Sequence, residues 1–399
     1  MKYFGKKYKK IIIKLIGNIA RPRFGWKKKL IKFVKFFYLL IEIPFEILGD
    51  ILFVFKRFKK VTIENPKKIL IIKTDQFGDV LFSTFLLPII KKNYPEIQID
   101  YLINPKTEII LKNNPNIRKI LFWSDPFLYF LIGRNEKRSS FLKLIQQCIE
   151  CIKNIRSERY DIIINTRAYP PSNNIFLKLM GPKNIIAFDI SEQSYLADVL
   201  ANYDLKEEDW KNYLNLISPF CKNTQDETFN AEFYNFDDNI FKKIKVDGKY
   251  VVISPISFDP ERYWPNESWK EIIKKLVEKK YKIVLTGLPF QEQMLREITV
   301  GIDNDKIILA TKFSIAEIAS IIKGSDFWLG IDSFPAHLSI ALKKKTYCLL
   351  NGKYYFLKGY STKTWIDAKA MIPLIKDVFV FNINSTSKDI EQKIEETIQ

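Results

Sequence analysis

The sequence has little of what metal sites and disulfide scaffolds are built from. Its 399 residues include one histidine and four cysteines, too few for a disulfide-rich class and poor material for zinc sites. Glycine (14) and proline (18) are also sparse, which excludes collagen-like and linker-dominated chains. Because single hydrophobic cores stop growing at roughly 250–300 residues, this length predicts two domains with an appendage.

Acidic residues are scarce in one part of the chain only. Residues 1–60 hold 17 of the 64 Lys and Arg but 3 of the 45 Asp and Glu, and so carry +14 of the net charge of +19. The rest is only mildly basic, at +5, and lacks a nucleic-acid-binding motif. We therefore do not expect a nucleic acid partner.

The basic segment also lacks a long apolar run, because its longest uncharged stretch of large apolar residues, 36–41, is far short of the ~20 residues that span a bilayer. Glu42, Glu46 and Asp50 recur every four residues and share one helical face. We therefore predict an amphipathic helical extension that binds an anionic membrane surface. The alternative is an arm that packs on its own domain or a partner subunit. A secretory signal peptide is not expected, because Lys14 interrupts the only stretch, 11–16, that could form its apolar region.

From residue 67 onward, short β-branched runs alternate with helical stretches, which predicts parallel sheets with crossover helices. A single helix is expected over 80–93, among others. The predicted strands are 69–73, 99–103, 119–122, 161–165 and 185–188 in the first half, and 250–254, 282–286, 306–309, 327–330 and 346–350 in the second. The expected fold class is α/β, with two Rossmann-like domains facing a cleft. We expect the C-terminal helix to cross back to the first domain. The predicted divisions are an extension (1–66), a first domain (67–235), a linker (236–248), a second domain (249–385) and a C-terminal helix (386–399).

Chemistry-bearing residues follow several of the predicted strands. In the first half, Gly78 permits a tight strand-to-helix turn, and Asp79 begins the next helix facing the cleft, either as a base or as an N-cap. In the second half, Asp332 and Ser333 open a helix whose N-terminal N–H groups suit a diphosphate. His337, the only histidine, is either a catalyst or a structural residue.

The first strand of the second half leads into a segment suited to leaving phosphates. Ser257 and Arg262 follow this strand, and their hydroxyl and guanidinium groups can neutralise phosphate charge without a metal. Gly287 and Glu292 follow the next strand.

Two other motifs give weaker indications of function. Asp303 and Asp305 form a D-x-D that we interpret as a polar loop. Cys148 and Cys151 form a C-x-x-C inside a helical stretch, best explained as reduced thiols. No metal is expected.

These pieces together resemble glycosyltransferase family 9, the ADP-heptose:lipopolysaccharide heptosyltransferases and their relatives. The resemblance rests on four segments between residues 68 and 352: Ile-Ile-Lys73 with Gly78-Asp79-Val-Leu, Arg262-Tyr-Trp-Pro with Trp269, Thr-Gly287 with Glu292, and Gly330 with Asp332-Ser333 and His337. It implies the GT-B fold.

The resemblance also implies roles for residues at matching positions. Asp79 would be the general base, Ser257 and Arg262 would contact the leaving diphosphate, and Glu292 would lie near the nucleoside. Asp332, with Ser333 and His337, would bind the donor. Lys73, Gly78, Gly287 and Phe334 would shape the turns nearby. Phe334 departs from the family, which usually has glycine there, and so restricts backbone approach to the diphosphate.

The predicted function is that of an inverting, metal-independent glycosyltransferase. It would move a heptose-like sugar from a nucleotide diphosphate donor, with ADP-heptose the first candidate, to a lipid-linked or lipopolysaccharide-type acceptor, without a separate cofactor. The expected location is the cytoplasmic face of the bacterial plasma membrane, held there by residues 1–60. The alternative is a membrane-attached protein of the same fold that binds a glycan or nucleotide without turnover.

Overall fold

A computed structural model describes the following residues: 48, 61, 63–123, 138–168, 174–191, 194–204, 207–244, 246, 248–257, 260–350, 372–373 and 375–398. The extension predicted over residues 1–66, with its amphipathic helix, lies almost wholly outside this part of the chain. Among the described residues, no helix is both long enough and apolar enough to cross a membrane.

The first half forms a six-stranded parallel sheet in the order β3-β2-β1-β4-β5-β6. Most of its strands are apolar on both faces, as strands covered by helices on both sides must be. Its strands are β1 (Lys68–Lys73), β2 (Gln98–Ile103), β3 (Lys119–Phe122), β4 (Ile162–Asn165), β5 (Asn184–Phe188) and β6 (Val199–Ala201). Its helices are α1 (Phe77–Ser83), α2 (Leu86–Asn93), α3 (Glu108–Leu111), α4 (Arg138–Ser157), α5 (Asn174–Leu179) and α6 (Asp209–Ile217).

The second half repeats this arrangement in a sheet of order β12-β11-β10-β7-β8-β9, again parallel. Read from its far edge, this is the same Rossmann order as the first sheet. Its strands are β7 (Tyr250–Ser254), β8 (Lys282–Thr286), β9 (Ile307–Ala310), β10 (Phe327–Ile331), β11 (Lys345–Leu350) and β12 (Val378–Asn382). The helices from this point are α7 (Ile240–Lys243), α8 (Asn266–Glu278), α9 (Glu292–Glu297), α10 (Ile315–Gly324), α11 (Phe334–Ala341) and α12 (Ser387–Ile398).

The predicted α/β class with two Rossmann-like sheets is confirmed. Two strands, β6 and β12, were not predicted, and the single helix expected over 80–93 is two helices, α1 and α2. The helix is interrupted because Pro88 has no N–H to donate to Thr84 O, which accepts from Leu87 N at 2.9 Å instead. At this break the Thr84 hydroxyl donates to Leu81 O at 2.7 Å and accepts from Glu232 N at 2.7 Å. The short helix α7 lies within the predicted linker.

We expected the C-terminal helix to cross back to the first domain, but it does not. It packs on α8 in the second half, where Ile390 and Ile394 are buried in the core of that sheet. Lys275 Nζ lies 2.5 Å from Glu391 Oε2, and Lys279 pairs with Glu395. The prediction was wrong because the apolar face of α12 complements its immediate neighbour α8.

Candidate active site

Each sheet has a switch point, where the strand order reverses, and side chains at the carboxyl ends of strands there line a crevice suited to ligands. In the first sheet the switch lies between β1 and β4. Lys73 ends β1, and Arg167 follows β4. In the second sheet the switch lies between β7 and β10. Ser257 follows β7, and Asp332 follows β10.

The first switch point holds a cluster of charged groups. Lys73, which is 1% exposed, places its ammonium 3.0 Å from Asp75 Oδ2 and 4.0 Å from Asp79 Oδ1. It also donates to the Tyr213 hydroxyl at 2.7 Å. Arg167 Nε lies 3.3 Å from Asp75 Oδ1. The crevice therefore contains two carboxylates and two cations.

Asp79 lies in the first turn of α1 but is not its N-cap, so the alternative that Asp79 serves as the N-cap is wrong. The N-cap is Gln76, whose N–H donates to Asp79 Oδ2 at 3.3 Å. The Asp79 side chain is 20% exposed and so keeps access to the crevice. A carboxylate three residues into a helix remains in contact with the N-terminal N–H groups.

The pKa of Asp79 is raised to about 6. Burial is the largest cause, because it disfavours the charged carboxylate. The Lys73 charge opposes this effect, and repulsion from Asp75 adds to it. A carboxyl group with a pKa near the working pH is suited to act as a general base.

Helix α1 of the first half and α11 of the second half touch directly at the crevice. A Cβ on Gly78 would lie 2.7 Å from His337 Cδ2. The rings of Phe77 and Phe334 have centroids 5.6 Å apart. Phe334 therefore directs its ring at the first half of the molecule. Gly78 lies inside α1 without a positive φ, so the prediction that it serves a tight turn is wrong; glycine suits this position because a Cβ would require the His337 ring or the helix to shift.

On the opposite wall, Arg262 is held beside the start of α11. Its Nη1 donates to Asp332 O at 2.7 Å and to Asp332 Oδ2 at 3.1 Å. His337 Nε2 lies 4.0 Å from Asp332 Oδ1, and burial lowers the pKa of His337 below its usual value. A mainly neutral histidine and an arginine thus flank the Asp332 carboxylate.

The first N–H groups of α11 are not capped by the residue that begins it. Ser333 is the N-cap, but its hydroxyl donates back to Ile331 O at 3.0 Å. An α-helix leaves its first N–H groups without intrahelical partners and has a positive dipole end. In α11, Pro335 has no N–H, and the Ala336 N–H donates to Ser333 O at 3.0 Å. The start of α11 therefore offers an anion the Phe334 N–H and the positive end of the helix dipole, with Arg262 beside them.

Ser257 lies on the same wall through its backbone. Its carbonyl accepts from the Tyr263 hydroxyl at 2.8 Å and from Gln291 Nε2 at 3.2 Å. Gln291 Oε1 in turn accepts from Leu288 N at 2.8 Å, and a Cβ on Gly287 would lie 3.0 Å from Leu295 Cδ1. The loop after β8 is therefore tied to the loop that carries Ser257.

Glu292 lies away from Arg262 and Asp332, at the first position of α9. Its carboxylate accepts from Arg296 Nη2 at 2.7 Å and from Thr311 Oγ1 at 3.0 Å. Arg296 and Thr311 hold the pKa of Glu292 below its usual value. The structure thus places it at the ends of β8 and β9, one strand away from Ser257.

Sequence reasoning gave no role to Asp75, Arg167, Tyr213 or Thr311. Asp75 and Tyr213 contact Lys73, Thr311 contacts Glu292, and Arg167 joins the site through Asp75. A usable indication existed for Arg167, because a charged residue directly after a buried strand marks the carboxyl edge of the sheet. Tyr213 lies in α6, and nothing in its local pattern points to Lys73. Its role depends on a contact 140 positions away in sequence.

The other motifs have local roles. Asp303 accepts from Asp305 N at 3.0 Å inside a turn, which confirms the loop interpretation of the D-x-D. Cys148 and Cys151 are free thiols in α4. Within the described ranges, no cluster of three or more His, Cys, Asp or Glu side chains could hold a metal ion.

Solved structures share this architecture. The glycosyl transferase family 9 structure from Veillonella parvula superposes with a TM-score of 0.68 at 16% identity, covering 85% of this chain and 99% of that one. Escherichia coli heptosyltransferase WaaC with ADP-2-deoxy-2-fluoro heptose gives 0.65 at 15% identity, covering 82% and 99%. The two sheets and their facing switch points have the GT-B fold of glycosyltransferases.

Sequence comparison gives the family. A model described as glycosyltransferase family 9 (heptosyltransferase) matches residues 149–350, about half of the chain. Lipopolysaccharide heptosyltransferase 3 of Escherichia coli strain K12 is 25% identical over 288 residues, which cover 67% of this chain and 77% of that protein. The chain belongs to glycosyltransferase family 9.

Proposed function

We propose that the protein is an inverting heptosyltransferase that transfers heptose from ADP-heptose to a lipopolysaccharide-type acceptor. The observation that carries the proposal is the position of Asp79, with a pKa of about 6, across the crevice from Arg262 and the start of α11. The names of its relatives supply the substrate class. A similar enzyme binds an ADP-heptose analogue, and another is a lipopolysaccharide heptosyltransferase.

In the proposed reaction, Asp79 removes the proton from the acceptor hydroxyl. The acceptor O–H bond breaks as its proton passes to the Asp79 carboxylate, and the oxygen forms a bond to the anomeric carbon of the donor. The bond between that carbon and the diphosphate oxygen breaks, and its electron pair leaves with ADP. Attack from the face opposite the leaving group inverts the anomeric centre.

The leaving diphosphate would be stabilised by the second half of the molecule. Arg262 supplies a full positive charge, and the start of α11 supplies the Phe334 N–H and the positive end of a helix dipole. Ser257 would contact the same diphosphate, Glu292 would lie near the nucleoside, and Asp332 with Ser333 and His337 would bind the donor. We propose that these groups act without a metal or a separate cofactor.

We further propose that the enzyme works at the cytoplasmic face of the bacterial plasma membrane. The +14 charge of residues 1–60 would attract anionic lipid at about 1 kcal/mol per Lys or Arg near the surface. Lipid-linked acceptors are found at such a surface, so this segment would concentrate the enzyme near them.

The second candidate is a protein of this fold that binds a nucleotide or glycan without turnover. It is favoured by Phe334, which occupies a position where the family usually has glycine. A bulky residue there narrows the backbone approach to the proposed diphosphate site. Binding of ADP without any transfer would support this candidate.

The test is a transfer assay with the full-length protein, ADP-heptose and truncated lipopolysaccharide. We expect release of ADP, a product heavier by one heptose, and inversion at the anomeric carbon seen by NMR. Asp79→Asn should remove both ADP release and product. ADP-heptose that remains intact with wild-type protein, across a panel of truncated acceptors, would reject heptosyl transfer.

A further inference from the structure

Asp75 lies between two cations that border the proposed base. Its Oδ2 is 3.0 Å from Lys73 Nζ, its Oδ1 is 3.3 Å from Arg167 Nε, and its side chain is 9% exposed. Both Oδ2 and Arg167 Nε are buried, so the carboxylate depends on these two cations to balance its charge.

Lys73 has two carboxylates within reach and is closer to one of them. Its ammonium is 3.0 Å from Asp75 and 4.0 Å from Asp79. At 1% exposure the ammonium cannot rely on water, and a buried charge needs a paired partner. The Tyr213 hydroxyl, 2.7 Å away, fixes the other side of the ammonium.

We propose that Asp75 is a positioning residue that binds Lys73 and Arg167, and thereby keeps Asp79 out of a close ion pair. This inference rests on the proposed role of Asp79 as the base. A carboxylate locked to an ammonium is a weak proton acceptor, because the pair stabilises its charged form. Asp75 would therefore preserve the basicity of Asp79 without touching substrate.

The protonation states of the neighbouring groups agree with this role. Burial raises the pKa of Asp75, but the charges of Lys73 and Arg167 outweigh burial and hold the pKa below its usual value. Asp75 therefore stays ionised, and its negative charge raises the pKa of Asp79. Two neighbouring carboxylates with pKa values pushed apart are a known arrangement for assigning one of them to proton transfer.

The remaining groups that face Asp79 do not replace Asp75. Tyr213 in α6 is kept neutral because burial raises its pKa well above the usual value. The His337 ring in α11, against Gly78, is mainly neutral because burial lowers its pKa. Lys73 and Arg167 both lower the pKa of Asp79, and Asp75 is the carboxylate that counters them.

The experiment compares Asp75→Asn, Asp75→Glu and the matched control Asp161→Asn. Asp161 also contacts a lysine, with Oδ1 2.6 Å from Lys183 Nζ, but lies at the opposite edge of the same sheet. Carbon-13 NMR of labelled aspartate, with Asp79→Asn identifying the Asp79 signal, follows its titration without substrate. The pH profile of kcat/KM for ADP-heptose and truncated lipopolysaccharide follows the same group during turnover.

We expect Asp75→Asn to move the Asp79 titration and the acid limb of kcat/KM to lower pH by about one unit or more, because Lys73 then has one carboxylate to pair with. Asp75→Glu should restore most of the wild-type position, and Asp161→Asn should not move it. An Asp79 titration unchanged in Asp75→Asn overturns the inference. If Asp75→Asn does not fold, the test uses folded Asp75→Glu instead. In that variant, an Asp79 pKa as low as that of a carboxylate in a close ion pair, below the ordinary aspartate value, overturns the inference.

The outcomes separate this inference from the proposed function. Full activity in Asp79→Asn would reject the role of Asp79 as base, whatever the titration shows. An inactive Asp79→Asn, combined with a wild-type titration in Asp75→Asn, would reject only the positioning role of Asp75.

Discussion

The imidazole of His337 lies directly against Gly78, so that a Cβ at residue 78 would approach His337 Cδ2 to 2.7 Å. The contact joins α1, which carries the proposed base, to α11, which carries the proposed diphosphate site. Glycine at residue 78 therefore sets the distance between the proposed base and the proposed diphosphate site.

Gly78→Ala should force the two helices apart. Because a misplacement of about 1 Å can lower a rate about 100-fold, we expect kcat/KM to fall roughly 10- to 100-fold with little change in melting temperature. The control is the same substitution in a His337→Ala background, where the ring is absent and the added loss should be small. Equal losses in both backgrounds would contradict the steric explanation.

Asp79→Asn should make the protein more stable at neutral pH. The folded pKa of about 6 exceeds the ordinary value, so folding favours the protonated group, and its contribution to stability declines as pH rises from about 4 to 6. We expect the variant to gain about 1–3 kcal/mol in urea unfolding at pH 7.5. The gain should vanish near pH 4. A loss of stability at pH 7.5 would show that ionised Asp79 supports the fold.

Arg262→Ala should weaken binding of ADP. Hydrogen bonds to charged groups contribute about 1.5–3 kcal/mol, so calorimetry should show a loss of roughly 10- to 100-fold in affinity. Arg156→Ala, at an exposed site on α4, is the matched control and should bind ADP as the wild type does.

Chelation should leave heptosyl transfer intact, because Arg262 and the start of α11 are proposed to carry the charge of the diphosphate. The measurement is ADP release with and without EDTA. Loss of wild-type activity with EDTA, and its recovery with a divalent cation, would contradict the metal-independent mechanism.

Phe334→Ala and Phe77→Ala should be energetically coupled. Their rings lie 5.6 Å apart between centroids, and aromatic pairs contribute about 0.5–1.5 kcal/mol beyond burial. A double-mutant cycle on the free energy of unfolding should show this coupling. Phe334→Gly should in addition change donor affinity. An additive cycle would mean that the two rings do not stabilise each other.

Deletion of residues 1–60 should release the protein from anionic vesicles while leaving a folded body. Binding of the full chain should weaken steeply with salt, because such attraction is screened over about 8–10 Å at physiological ionic strength. Co-sedimentation measures both effects, and neutral vesicles serve as the control. Aggregation or unfolding of the truncated protein would mean that the segment belongs to the protein's own core.

Buried parallel strands were the easiest elements to predict. The strands β7 and β8 match their predicted bounds of 250–254 and 282–286 because both faces are covered and the sequence is therefore continuously apolar. The strand β6 has three residues and two of them are partly exposed, so its pattern is too short to recognise. The break between α1 and α2 had a local signal in Pro88, which cannot donate to the carbonyl four residues before it.

The site was predictable where one residue type at a strand end carries the chemistry, as with Asp79 and Arg262. It was not predictable where function depends on which charges meet. Asp75 stands four residues before Asp79 and looks like a loop carboxylate in the sequence. Only the pairing of β1 with β4 brings Arg167 to it and completes the cluster.

The direction and length of β1 also determine how far a group at its first residue lies from Asp79. The strand runs from Lys68 to Lys73, so Lys68 lies at the edge of the sheet opposite the one that bears Lys73 and Asp79. At about 3.3 Å per residue, the six residues of β1 place Lys68 roughly 20 Å from that opposite edge. The strand thus acts as a rigid spacer, and a label or an immobilising group attached at Lys68 is kept about one strand length from the Asp79 carboxylate.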